Sequence, residues 1–265
     1  MTFNRNLDKA RDAFKKKDID AMIAAHTQPP EQHQKTTGKY IKHIVYGGLD
    51  GIITTFAVAA GVTGARLAVG ILLILGIANL LGDGISMGLG DYLSSKSEIE
   101  YQQKERTREA WEVDHFPEGE KMELVGLYQK KGLNIDDAQT LVDIISKDQK
   151  PWVDIMMVEE LGIVESSESP RNDAVITFIS FAIFGTIPIL TYVLALLTPA
   201  WSAQTGIPFL LTCIFTAISL FALGAAKTKV TGKNPLRSGL ETLLVGGIAA
   251  SVAFLIGFLL NGLAA

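Results

Sequence analysis

The sequence predicts an all-α membrane protein with five transmembrane helices and a charged helical domain inserted between the second and third. Three observations carry that prediction. Mean hydropathy is +0.27 although 20% of the 265 residues are charged, so charge and apolarity must be segregated along the chain. The segregation is visible: 18 of the 28 Asp and Glu lie between Glu98 and Glu168. Outside that segment, five apolar stretches approach or exceed the roughly 20 residues that a helix needs to cross the hydrocarbon layer.

Taken in order, residues 1–43 read as a leader. From Asn6 to His26, Leu7, Ala10, Phe14, Met22 and Ile23 fit a helix with one apolar stripe, ended by Pro29 and Pro30. Such a helix suits a membrane surface, with Lys15, Lys16 and Lys17 near headgroups; a solvated leader is the plainer alternative. The leader lacks a short apolar h-region, so no cleavable signal peptide is expected.

Residues 44–97 hold spans one and two. The first, Ile44 to Gly64, contains Asp50; a short turn leads into the second, Leu67 to Tyr92. No proline occurs between Arg66 and Asp114, so one helix is expected to leave the membrane and continue into water. Residues 98–170 form the insert. Pro117 suits a helix N1 position and Gly132 a C′ position; Asn134 caps a helix running to about Lys147; Pro151 starts another that Gly162 ends. Residues 171–265 hold spans three (Asp173 to Leu197, kinked at Pro188), four (Ile207 to Ala226) and five (Leu240 to Leu260). Asp173 and Glu241 fall near span ends, where charge costs less.

Lysine and arginine set the expected orientation. The loop after span four carries Lys227, Lys229, Lys233 and Arg237 without an acid, whereas Thr198 to Gly206 is uncharged. By the positive-inside rule the N-terminus, the insert and the 4–5 loop are cytosolic. The net charge of −4 gives no reason to expect nucleic acid as a partner, and the single cysteine, Cys213, excludes an internal disulfide. Walker, GxGxxG, Ser/His/Asp and zinc-type Cys/His patterns do not occur, so ATP-driven pumping and hydrolysis lack support and no enzyme is expected.

The chemistry resides in misplaced polarity. An ionised Asp50 inside a span costs on the order of 3 kcal/mol on insertion scales, so it must face protein or a water-filled path. A carboxylate that must lose its proton to bind metal exchanges protons for metal, the minimum equipment of an antiporter. A protonated Asp bonded to a neighbouring helix is the structural alternative. Asn79, Asp83 and Met87 are spaced by four and share one helix face. Amide, carboxylate and thioether together tilt the choice of cation toward transition metals. Gly47 with Gly51 and Gly84 with Gly88 are spaced for close helix approach, expected between the first two spans or across a homodimer.

In the insert, Glu109 with Glu112 and Glu120 with Glu123 are three apart, and Met156 and Met157 lie a turn from Glu160. Like charges at that spacing repel unless a cation lies between them. A solvated acidic surface relieved by Lys104, Arg106, Arg108 and Lys121 is the alternative. His115 is a further nitrogen on a loop. A membrane-anchored metal buffer or sensor without transport competes with a transporter, and a ferroxidase would want Glu-x-x-His motifs that the insert lacks.

DGIITTFAVAAGVTGA, GIANLLGDGISMGLGDYLSSKSE, MMVEELG and NPLRSGLETLLVGGIAA, in this order, resemble the vacuolar iron transporter family, including its yeast-type and protist members, over about Lys42 to Leu260. The resemblance implies a five-span homodimer in the bilayer with a cytosolic metal-binding domain. It implies export of Fe2+, and often Mn2+, from the cytosol in exchange for protons. The destination would be an organelle lumen, such as a vacuole, or the cell exterior across a bacterial inner membrane. Iron would be substrate, and no prosthetic group is implied. Asp50 matches the family's acid in span one, and Met87 the methionine of span two. Glu109, Glu112, Glu120, Glu123, Met156, Met157 and Glu160 match its cytosolic ligands. Two departures stand out. Asn79 replaces the acid of the plant-type GIAE pattern, with Asp83 one turn on as its candidate substitute, and Lys39 and His43 stand where plant-type members carry acids at the cytosolic mouth of span one.

Overall fold

A computed structural model describes residues 7–26, 36–164, 169–197 and 206–263, and among these the regular structure is entirely helical. The chain forms two compact units, residues 1–42 and 43–265.

The first unit contains α1 (Leu7–Lys16), α2 (Ile19–His26) and the first residues of α3 (Thr36–Gly64). The single leader helix expected from the sequence is two helices. Lys17 adopts φ 55°, a left-handed conformation that breaks the helix, and the Asp18 carboxylate accepts the Ala21 N–H at 3.0 Å to start the next one. Pro29 and Pro30 lie outside the described residues.

In the second unit, α4 (Val69–His115) is one uninterrupted helix of 47 residues, about 70 Å long. It stops where Phe116 and Pro117 follow. The continuous helix expected from the missing prolines is therefore present. Helices α3, α4, α8 (Pro170–Leu197), α9 (Ile207–Ala226) and α11 (Pro235–Leu259) are long and apolar enough to cross a membrane. A short α10 (Thr228–Thr231) sits in the basic 4–5 connection, and a 3-10 turn (Asn261–Leu263) follows α11. Asn234 caps α11 by accepting the Leu236 N–H at 2.9 Å, so this span starts five residues earlier than hydropathy suggests.

The bundle core forms where α3 meets α8, α9 and α11. Ile52 packs with Leu220 and Leu223, and Ala59 and Val62 pack with Leu72 and Tyr192. The outer faces remain apolar: Ile74, Ile183 and Leu244 are each more than 60% exposed. Bare to water, such a surface would aggregate; against lipid it is matched. Backbone approach is close. A Cβ on Gly47 would sit 2.5 Å from the Thr177 carbonyl oxygen, and one on Gly88 3.2 Å from that of Ala174. Gly47, Gly51, Gly84 and Gly88 all face α8. The glycine stripes thus serve packing of spans one and two onto span three and not onto each other. The reason is that α8 offers its own backbone at Ala174, Thr177 and Phe181 to both helices. Helix α8 continues through buried Pro188, whose carbonyl accepts the hydroxyls of Thr191 and Thr212 at 3.3 Å.

The distal half of α4 packs with α5 (Pro117–Lys130), α6 (Ile135–Ile145) and α7 (Gln149–Glu159). Val113, Leu124, Val142, Trp152, Val153, Met156 and Met157 form its core. Most local signals operate as read, although α7 begins at Gln149, two residues before the Pro151 expected to start it. Pro117 opens α5, Gly132 follows it at φ 104°, Asn134 caps α6 by accepting the Asp137 N–H at 2.9 Å, and Gly162 follows α7 at φ 66°. An Arg106–Asp154 ion pair and Gln149 Nε2 donating to the Ala110 carbonyl at 3.1 Å tie α7 to α4.

Candidate metal centre

Three helices of the insert bring carboxylates to one point. Glu109 of α4, Glu120 of α5 and Glu160 at the C-cap of α7 each place an oxygen within 4.8 Å of the others. Glu109 and Glu120 are buried, Glu160 is exposed at the rim. One oxygen of Glu109 and one of Glu120 have no hydrogen-bond partner among the described residues. Buried carboxylate oxygens without donors are costly, and a cation or a proton relieves them.

The electrostatics agree. Burial, then the neighbouring Glu160 charge, pushes Glu109 up to about 7, against the opposing pull of Arg108. Burial, then Glu109 and Glu123, pushes Glu120 up to about 7. Glu160, exposed as a residue, is raised by partial desolvation of its carboxyl and then by Glu123. The cluster therefore exchanges protons near neutrality, and a dication that binds must displace them.

The remaining predicted ligands surround this trio. Glu123 is exposed but close enough to act on Glu109, Glu120 and Glu160. Glu112 pairs with Arg108, which also donates Nη2 to Glu109 at 2.6 Å and Nε to Glu105 at 2.9 Å. These carboxylates hold the Arg108 guanidinium above its usual range. Met156 and Met157 are fully buried in the hydrophobic core of the insert. His115 is not a loop residue and lies apart from the trio: it ends α4, stacks on Trp111 with ring centroids 4.4 Å apart, and its Nδ1 is 2.8 Å from the Trp111 carbonyl. Of the basic residues read as relieving the acids, Arg108 engages the cluster, whereas Arg106 pairs with Asp154 and Lys121 with Asp143.

The spans carry the second set. Asp50 is half-buried on α3, and its backbone carbonyl accepts the Thr54 hydroxyl at 2.8 Å. Asn79 donates its amide to Asp83 at 2.6 Å on α4. Asp83 is exposed, Met87 half-buried, and the charge of Asp83 acts on Asp50 across the two helices. Sequence reading missed a further group. Asp173, read as a cheap charge at a span end, is fully buried and lies 3.8 Å from His43, which in turn lies 2.8 Å from Asp91. Asp91 follows Met87 by four residues, a spacing that could have flagged it.

The family model described as VIT family matches residues 41–258. The chain is 40% identical to a vacuolar iron transporter of Toxoplasma gondii over 97% of this chain and 89% of that one. It is 36% identical to a vacuolar iron transporter of Plasmodium falciparum over 83% and 82%. To vacuolar iron transporter 1 of Arabidopsis thaliana it is 34% identical over 83% and 85%. The order of five spans, the interrupting acidic insert and the extent of these matches lead to one conclusion: this chain is a member of the VIT family.

Proposed function

We propose that the chain exports divalent transition metal from the cytosol in exchange for protons, with ferrous iron as first substrate and manganese as second. The receiving compartment is an organelle lumen such as a vacuole, and the N-terminus, insert and 4–5 loop face the cytosol. The observation that carries the reading is the convergence of Glu120 and Glu160, with two donorless buried oxygens in the trio, on Glu109 of α4, the helix that also carries Asp83 and Met87. The iron transporters named above at 34–40% identity support the choice of metal.

In this reading residues 98–170 collect metal. Glu109, Glu112, Glu120, Glu123 and Glu160 supply oxygens, and Met156 and Met157 supply sulfur. Asp50, Asn79, Asp83 and Met87 form the transport path. Asp83 takes the place of the acid missing at Asn79, whose amide fixes one of its oxygens. The chain acts as a homodimer. An exposed carboxylate on a membrane helix is costly against lipid, and a second copy against this face of α4 covers Asp83 and closes the path.

Reconstituted full-length protein tests this. Vesicles with an imposed pH gradient should take up Fe2+, then Mn2+, ahead of Zn2+, with proton movement opposite to the metal. A buffer or sensor is the second reading, favoured by the insert holding a complete carboxylate trio by itself; it predicts metal binding with no flux.

A further inference from the structure

The first three spans meet at a buried polar cluster that transport through Asp50 and Asp83 leaves unused. His43 is on α3, seven residues before Asp50 and so on nearly the same face, about 10 Å along the helix. Its ring is buried, with Nδ1 2.8 Å from Asp91 Oδ2 of α4 and Nε2 3.8 Å from Asp173 Oδ1 of α8. Thr177, one turn after Asp173, donates its hydroxyl to the same Asp91 oxygen at 2.5 Å. Among the described residues, Asp91 and Asp173 are the charged groups within ion-pair distance of His43.

Geometry separates this cluster from a metal site. The two ring nitrogens address different carboxylates, so the groups form a chain, whereas a dication needs ligands that converge on one point. Charge gives the chain its use. A neutral imidazole donates Nδ1–H to half-buried Asp91 and brings no charge to either carboxylate. An imidazolium also offers Nε2–H toward buried Asp173 and sets a positive charge between the two acids. Imidazole is the side chain suited to alternate between these forms near neutral pH.

We propose that His43, held between Asp91 and Asp173, is a proton-carrying residue of the transport cycle at the end of the bundle from which the α4 arm projects. Uptake forms the Nε2–H bond on a proton delivered by water. Release breaks that bond, returns the proton to water and restores the neutral ring, with Nδ1–H still donated to Asp91. The assignment rests on the antiport reading above.

The test uses full-length protein in vesicles and measures Fe2+ flux and proton movement from pH 5 to 8, with metal affinity measured in parallel. His43→Gln keeps hydrogen bonding without charge; His43→Lys keeps a cation without titrating in that range. Both should keep wild-type affinity with its pH dependence, which belongs to Glu109 and Glu120. Both should lose at least tenfold in iron-driven proton movement and flatten the flux profile. Thr177→Val, a milder change should those variants misfold, removes a donor from Asp91, strengthens its pull on the imidazolium, and should shift the flux midpoint upward in pH. Variants that couple protons with the wild-type profile overturn the assignment, as does a uniform loss of flux at every pH. Wild-type protein that carries iron without moving protons ends the antiport reading and this assignment together.

Discussion

The insert and the bundle both hold acids, but in opposite ways. In the insert, carboxylates from α4, α5 and α7 meet within one chain over a packed core, and Arg108 offsets part of their charge. In the bundle, Asp83 lies exposed on α4, the least buried of the five spans, and Asp50 is half-buried on α3. One site is closed by its own chain; the other is open along one side. Under the proposed function, the contrast fits a collecting site that holds a cation against water and a path, closed by a second copy, that lets it pass.

The largest effect expected from breaking this contrast is at Asp50. Asp50→Asn in full-length protein should abolish iron-driven proton movement in vesicles while leaving metal binding to the insert within about twofold. Normal exchange by that variant would remove Asp50 from the mechanism. Next, Glu109→Gln and Glu120→Gln should each weaken iron binding on the order of tenfold to a hundredfold, the range that disturbing even the supporting groups of a metal site costs. Titration calorimetry measures it. An unchanged affinity would reduce the trio to an acidic surface.

The raised carboxyls sharpen the comparison through pH. Glu109 and Glu120 hold protons up to about 7 in the folded chain but only to their ordinary value of 4.5 when unfolded. Between those values the folded form binds more protons, so the stability of the metal-free insert falls as pH rises through that window. Metal affinity runs the other way, strengthening as pH rises through 7, with protons released on binding. Calorimetry in two buffers of different ionisation enthalpy counts those protons, and zero release contradicts the account. Arg108 opposes the rise at Glu109, so Arg108→Gln should move the binding midpoint to higher pH.

The smallest effect concerns packing. Gly47→Ala should destabilise the bundle by about 1–3 kcal/mol, since its Cβ meets the Thr177 backbone at 2.5 Å. Gly82→Ala, where a Cβ meets nothing within 4 Å, should leave a single chain at least as stable, since alanine favours a helix interior over glycine. Thermal unfolding in detergent separates the two, and equal losses would contradict the α3–α8 contact.

Local physics made much of this legible in the sequence. Proline-free continuity gave α4, apolar length gave the spans, and Pro117, Gly132, Asn134 and Gly162 marked the helix ends of the insert, because each effect acts within a few residues. The spacing of the glutamates placed them on helix faces. It did not say which faces converge: the trio is Glu109, Glu120 and Glu160, while Glu112 turns to Arg108. The glycine stripes announced close approach without naming α8 as the partner. Nothing local linked His43, Asp91 and Asp173, which are 48 and 82 residues apart and gain their chemistry only by burial together. Sequence determines what each helix carries; packing decides which carboxylates lose their water, and that loss raises Glu109 and Glu120 above the ordinary carboxylate range.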